Sequence, residues 1–126
     1  MAYMQRWKGK VAAKSVLTGI LRLGDGTKTA AATSGAATLN KPSGVITSES
    51  LTTTAGSLYT LTITDSEIAA TDIVLASCAL GTSTQGLPQI VSVTPAAGSV
   101  VIIVKNIHAT QAFNGTITVA FAALDA

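Results

Sequence analysis

The segment Leu58–Thr64 reads LYTLTIT, and from its second residue onward it alternates strictly between large apolar side chains and threonine. Successive side chains of a β-strand point to opposite faces of its sheet. This period of two therefore predicts a strand with one buried and one solvated face. Such a strand needs hydrogen-bonded neighbours and a second layer over its apolar face, and this requirement constrains the fold of the whole chain.

Five further runs rich in β-branched residues predict strands, and each is bounded by Gly, Pro, Asn or Asp. They lie at Val45–Glu49, Asp72–Ala79, Gln89–Thr94, Ser99–Lys105 and Thr116–Ala122. The stretch 100–104 is apolar at every position, which predicts a central strand covered on both faces.

The connections between these runs are short. Residues 94–99 (TPAAGS) predict a tight hairpin, and residues 52–57 (TTTAGS) form a similar link. The segment 65–71 is long enough for one helical turn, which Asp65 or Ser66 can cap. Parallel neighbours need a crossover of about a dozen residues or more, and no connection here has that form. We therefore predict an all-β fold, an antiparallel β-sandwich.

The chain of 126 residues has the length of one domain. Its first 40 residues show weaker periodicity, and the apolar run Val16–Leu23 fits either a strand or a short helix. We predict a basic, extended N-terminal arm with possible edge strands over residues 1–40, and the β-sandwich domain over residues 41–126.

Charged residues make up only 11% of the chain, well below the roughly 25% that is usual for soluble domains. The surface must therefore be covered by the 19 threonines and 11 serines, or by other chains. The longest charge-free stretch, 73–104, is interrupted by Gly and Pro. It contains no run of about 20 apolar residues, so we predict no membrane span.

Positive charge is concentrated at the N-terminus. Six of the eight basic residues fall in the first 28 positions, whereas two basic and five acidic residues follow from position 29 onward. A basic segment that also carries Tyr3 and Trp7 fits three roles: a solvated tail, a nucleic-acid contact through phosphates, or a contact with an acidic protein surface.

A protein partner is the role that we favour for this segment. The body of the chain is mildly acidic, which makes nucleic acid the weaker of the two binding alternatives. The predicted partner-binding residues of the arm are Arg6, Trp7, Lys8, Lys10 and Lys14.

Few residues offer chemistry. Cys78 and His108 are the only residues of their types, and a Cys–His nucleophile pair is formally possible. However, Cys78 lies in an apolar run where a cysteine is usually a small core residue, and no neighbour in sequence would lower its pKa. One Cys and one His cannot complete a tetrahedral zinc site.

The acidic residues Asp65, Glu67 and Asp72 lack the spacing of a calcium loop and predict a solvated turn. A glycosidase carboxylate pair is possible by count, but only five aromatic residues exist to shape a sugar site. Asn114-Gly115-Thr116 matches a glycosylation sequon, although Asn-Gly is also a strong hairpin signal, which we favour. We expect no catalytic residue, cofactor or metal ion, and no enzymatic activity.

A family resemblance is carried by residues 44–121, which read GVITSESLTTTAGSLYTLTITDSEIAATDIVLAS…VSVTPAAGSVVIIVKNIHATQAFNGTITVAF. These Thr/Ala/Gly-rich strands, the AGSLYTLTIT run and the late NGTI strand resemble virion structural proteins of tailed bacteriophages, above all capsid decoration (cement) proteins. The resemblance implies a jelly-roll-like sandwich, often a homotrimer, on the capsid surface of the virion.

The expected function is therefore capsid decoration, in which the sandwich packs with copies of itself and the arm binds the major capsid protein. The alternative is a β-sandwich module of a phage fibre or spike that binds host glycan. An enzyme is the third and least favoured class.

Overall fold

The computed structural model describes residues 28–125 and shows an all-β protein. Two four-stranded sheets pack against each other around one apolar core. The strands are β1 (Thr29–Ala31), β2 (Ala36–Thr38), β3 (Ser43–Thr47), β4 (Leu58–Thr64), β5 (Ile73–Leu80), β6 (Pro88–Ala96), β7 (Ser99–Asn106) and β8 (Ile117–Leu124). No residue in this described part is helical. The predicted β-sandwich is confirmed.

The first sheet has the strand order β1-β3-β8-β5, and the second has the order β2-β4-β7-β6. Strands β3 and β5 both pair antiparallel with β8, and strands β4 and β6 both pair antiparallel with β7. From β3 to β8 the chain changes sheet at every connection except the β6–β7 hairpin.

The prediction of purely antiparallel pairing is wrong at one edge of each sheet. Strand β1 pairs parallel with β3, and β2 pairs parallel with β4. The crossover that a parallel pair requires is supplied by the intervening strand in the other sheet, because β2 lies between β1 and β3 in the chain. Both of these short edge strands fall inside the range 1–40 that the sequence assigned to the arm.

The alternation of Leu58–Thr64 is confirmed residue by residue. Tyr59, Leu61 and Ile63 are buried in the core, and the threonines between them face outward. The core around them is aliphatic, with Phe113 and Phe121 as its other rings. Fully burying one such side chain stabilises the fold by about 1.5–3 kcal/mol.

The prediction that 100–104 is covered on both faces is wrong for one face. Val100, Ile102 and Val104 are fully buried between the sheets. Val101 and Ile103 point to the other side of β7 and are only half-buried, because no third layer covers the second sheet within residues 28–125.

The predicted hairpin at 94–99 is confirmed. Its turn is Ala97-Gly98, and Gly98 has φ 80°, the left-handed conformation that glycine adopts without strain. The link 52–57 is not a hairpin of the same kind, since it carries the chain from the first sheet to the second.

The helical turn predicted over 65–71 is absent. Two hydrogen-bonded turns replace it: the Asp65 carboxylate accepts the N–H of Glu67 at 3.0 Å, and the Asp72 carboxylate accepts the N–H of Ala69 at 2.9 Å. Short aspartate side chains compete with helix formation in this way, by bonding nearby backbone amides.

One half-buried contact ties the edge strands to the body. The Glu49 carboxylate accepts the backbone N–H of Gly35, between β1 and β2, at 2.8 Å. Its second oxygen accepts the Tyr59 hydroxyl at 2.9 Å. Burial, and next the hydrogen bond to Glu49, raise the pKa of Tyr59 far above its ordinary value. The phenol therefore stays a hydrogen-bond donor across the working pH range.

Candidate interaction surfaces

Charged side chains are almost absent from the two sheets. Lys105 of β7 is the only charged residue within the eight strands of the described chain. The remaining charged residues of this part lie in connections or beside strand ends: Lys28, Lys41, Glu49, Asp65, Glu67, Asp72 and Asp125. Apart from Lys105, the outer faces of both sheets are consequently built from uncharged side chains.

The outer face of the first sheet is apolar as well as uncharged. Ile73 and Leu75 of β5 are 54% and 58% exposed. The register places Leu75 beside Ala122 of β8, and a shallow groove runs there along Leu75, Ser77 and Ala120. Contiguous exposed apolar surface on a small domain is typical of an interaction site.

The outer face of the second sheet mixes threonine hydroxyl groups with aliphatic side chains. Thr60 and Thr62 of β4 lie directly opposite Ile103 and Val101 of β7. Threonine methyl groups and half-buried aliphatic side chains therefore alternate across the face, with Lys105 at one end. This surface can form hydrogen bonds, but it offers little charge for the recognition of an ionic ligand.

One end of the sandwich is a loop cluster organised by the fully buried Asn106. Its Oδ1 accepts the N–H groups of Leu87 (3.0 Å) and His108 (3.1 Å). Its Nδ2 donates to the carbonyl oxygens of Thr53 (3.0 Å) and Gln111 (2.8 Å). A single amide thus holds three loops together, and all four of its hydrogen bonds are made to backbone groups.

A second amide fastens the outside of the same cluster. Oδ1 of Asn114 accepts the Ser83 hydroxyl at 3.0 Å and the Thr84 N–H at 2.8 Å. Neither Asn114 nor Gly115 has a positive φ, and Gly115 bridges to Leu51. The hairpin predicted for Asn-Gly is therefore wrong, because the asparagine side chain bonds a distant loop.

The loop cluster presents an uncharged tip. Leu87 and Ile107 are 49% and 43% exposed and are joined by a backbone hydrogen bond of 2.8 Å. The polar residues around them carry hydroxyl or amide groups, and His108 adds an imidazole. Tyr59, Phe113 and Phe121, the aromatic residues of the described chain, are all buried, so this part offers no exposed ring for stacking on a sugar.

The structure does not assemble the Cys–His pair that the sequence left open. Nδ1 of His108 accepts the N–H groups of Thr110 and Gln111 at 3.0 and 2.9 Å, so it serves its own loop. Burial raises the pKa of the Cys78 thiol, which is the opposite of what an activated nucleophile needs. His108 thus stabilises its own loop, and Cys78 packs against the core.

The acidic residues at 65–72 form turns and gather no metal ligands. Within the described range, no group of three or more His, Cys, Asp or Glu side chains is arranged to hold a metal ion. Asp65 is fully buried, and its Oδ2 has no hydrogen-bond partner. Burial raises the pKa of this carboxyl group above its usual 3.8.

No helix among residues 28–125 is long and apolar enough to cross a membrane.

The predicted partner-binding residues Arg6, Trp7, Lys8, Lys10 and Lys14 lie outside the described residues, as does the run Val16–Leu23. Sequence reasoning missed the organising role of Asn106. An asparagine at the end of an apolar run reads as an ordinary strand terminator, and its partners are up to 53 positions away in the chain. The exposure of Leu75 was missed because an apolar residue in a strand gives no sign of which face is covered.

Comparisons of this chain with protein-family models, with curated proteins and with solved structures gave no match.

Proposed function

We propose that this chain is a non-catalytic structural subunit of a protein assembly, and specifically a decoration (cement) protein that binds and stabilises the outer surface of a bacteriophage head. The observation that carries the proposal is that the eight strands of residues 28–125 contain a single charged residue, Lys105, while Ile73 and Leu75 are exposed. Soluble domains that work alone usually cover about a quarter to a third of their surface with charged residues.

Low charge density suits a protein whose surface is shared with neighbours. Aliphatic side chains can be buried in an interface without a desolvation cost, and a hydroxyl group there needs only a hydrogen-bond partner, whereas a buried charge needs a compensating opposite charge as well. The resemblance to tailed-phage virion proteins supplies the particular assembly. We assign the major capsid protein as the partner and the capsid surface of the virion as the location.

The basic arm supplies the second contact of this proposal. Arg6, Lys8, Lys10 and Lys14 would bind acidic surface on capsid subunits, and Trp7 would add apolar contact area. Such an arm would strengthen attachment without changing the sandwich.

Binding to purified, undecorated phage heads tests this proposal. A variant that lacks residues 1–14 should keep its far-ultraviolet circular dichroism spectrum and lose co-sedimentation with heads. Replacing Arg6, Lys8, Lys10 and Lys14 by Gln should weaken binding and its dependence on salt. Lys105→Gln, which removes one positive charge from the body, is the matched control and should bind normally. Full binding by the truncated chain would refute the arm's role, and absence of binding by the intact chain would refute decoration.

The second candidate is a fibre or spike module that binds host glycan through the loop cluster at Asn106. The uncharged hydroxyl and amide groups of that tip favour it, since neutral sugars are bound by such groups. The burial of Tyr59, Phe113 and Phe121 counts against it. Specific glycan-array signals, together with no binding to heads, would favour this function over decoration.

A further inference from the structure

One edge of the first sheet is formed by β5, which lies close to β6 of the second sheet but forms no backbone hydrogen bond with it. This strand is eight residues long, stands last in the order β1-β3-β8-β5, and pairs with β8 alone in the described chain. Its sequence, IVLASCAL, contains neither a charged residue nor a proline. Every second residue of an edge strand points its N–H and C=O away from the sheet, so β5 presents unpaired donors and acceptors along its length.

The other edges of the sandwich carry the devices that normally prevent strand pairing. β6 has Pro88 and Pro95, and its register with β7 shifts between Ile90 and Ser92. Proline removes a donor, and a bulge twists the edge away from a prospective partner. β1 and β2 are only three residues long. Among the edge strands of the described sandwich, β5 is therefore the one that is long, regularly paired and free of proline and charge.

We propose that β5 pairs antiparallel with β5 of a second copy of this chain, so that two first sheets join into one continuous eight-stranded sheet. The contact is isologous: the same edge supplies both partners, and a twofold axis closes the pair. It concerns self-association alone and does not depend on capsid binding.

The side chains of β5 suit this occupant. In an antiparallel pair, residues that lie directly opposite each other point to the same face of the sheet. The twofold axis must therefore pass between the two copies of one residue near the strand centre. An axis at Ala76 sets Leu75 of each copy opposite Ser77 of the other. The exposed Ile73 and Leu75 side chains of both copies then lie on one outer face, and they are partly buried by each other.

Charge also favours a second copy over the basic N-terminal arm. A basic segment that paired with β5 would have no acidic side chain of the strand to form an ion pair with. Desolvation of its lysines would therefore cost free energy that no ion pair compensates. The second copy brings an equally uncharged strand. The interface is small, so we expect dissociation in the micromolar range, on the order of the weaker specific complexes.

Sedimentation velocity over a concentration series tests the proposal. The intact chain should reach twice its mass of 12.6 kDa. Ser77→Lys places like charges near the axis of the pair and should leave a folded monomer. Thr94→Lys makes a comparable change at an exposed position of the edge strand β6, and it should still dimerise.

The chain without residues 1–14 should also dimerise, which separates this contact from the proposed binding to heads. A monomeric intact chain, or a trimer, which a twofold contact cannot close, would overturn the proposal. So would a dimer that survives Ser77→Lys, or one that is lost on removal of residues 1–14. In the last case the arm, and not β5, would make the contact.

Discussion

Replacing Asn106 by Ala should disconnect the loop cluster from the end of the sandwich. Its amide makes four hydrogen bonds, of 2.8–3.1 Å, to backbone groups of Thr53, Leu87, His108 and Gln111. The side chain is fully buried. Two N–H groups and two carbonyl oxygens would lose their partner at once.

The expected cost follows from these four hydrogen bonds. Each intramolecular hydrogen bond contributes about 1 kcal/mol net, so the substitution should lower the free energy of unfolding by about 4 kcal/mol. This is a large fraction of the roughly 5–15 kcal/mol by which domains are stable. Access of water to the loop backbone would reduce the loss, whereas groups that stay buried without a partner would increase it.

Urea unfolding followed by circular dichroism measures this difference. Asn114→Ala is the matched control, since Asn114 also bonds loop groups, those of Ser83 and Thr84, but is exposed. Water can replace its contacts, and the loss should be about 1 kcal/mol or less. Equal losses in the two variants, or a loss below about 1 kcal/mol for Asn106→Ala, would refute the role of Asn106 as the organising residue.

Two other predictions follow from the structure. Gly86→Ala should destabilise the fold by more than about 2 kcal/mol, because its Cβ would collide with the Phe113 ring. Gly98 has a similar positive φ but open space around it, so Gly98→Ala should cost about 1 kcal/mol. Equal losses in thermal unfolding would contradict the steric argument. The pKa of the buried Asp65 carboxyl group is raised, so the folded chain binds this proton more tightly than the unfolded chain does. Proton binding therefore stabilises the fold at a pH below 3.8, and this stabilisation is lost as the pH rises through the folded-state pKa. The free energy of unfolding of the unmodified chain should therefore fall over this pH range relative to that of the Asp65→Asn variant. If the difference between the two free energies did not change with pH, Asp65 would be excluded as the titrating group.

The inward-facing residues of the strands were predictable because alternation is a local property. In Leu58–Thr64 the position of each residue determines the face to which its side chain points, and every second residue is apolar. The hairpin at Ala97-Gly98 was predictable for the same reason, since a turn depends on its own few residues. These local rules determined the fold class before any pairing was known.

Tertiary structure alone decided the pairing partners and the exposed faces. The parallel contacts of β1 and β2 depend on the chain changing sheets between them, and no short window of sequence records this. Asn106 and Asn114 are the same residue type and both lie near strand ends. Asn106 is nevertheless buried among backbone groups and Asn114 is exposed, because burial depends on residues that are distant in the chain. Leu75 belongs to the run IVLASCAL, which has apolar residues on both faces and so does not indicate which face is covered. Only the packing of the two sheets, with no third layer over the first within residues 28–125, leaves Leu75 at the surface.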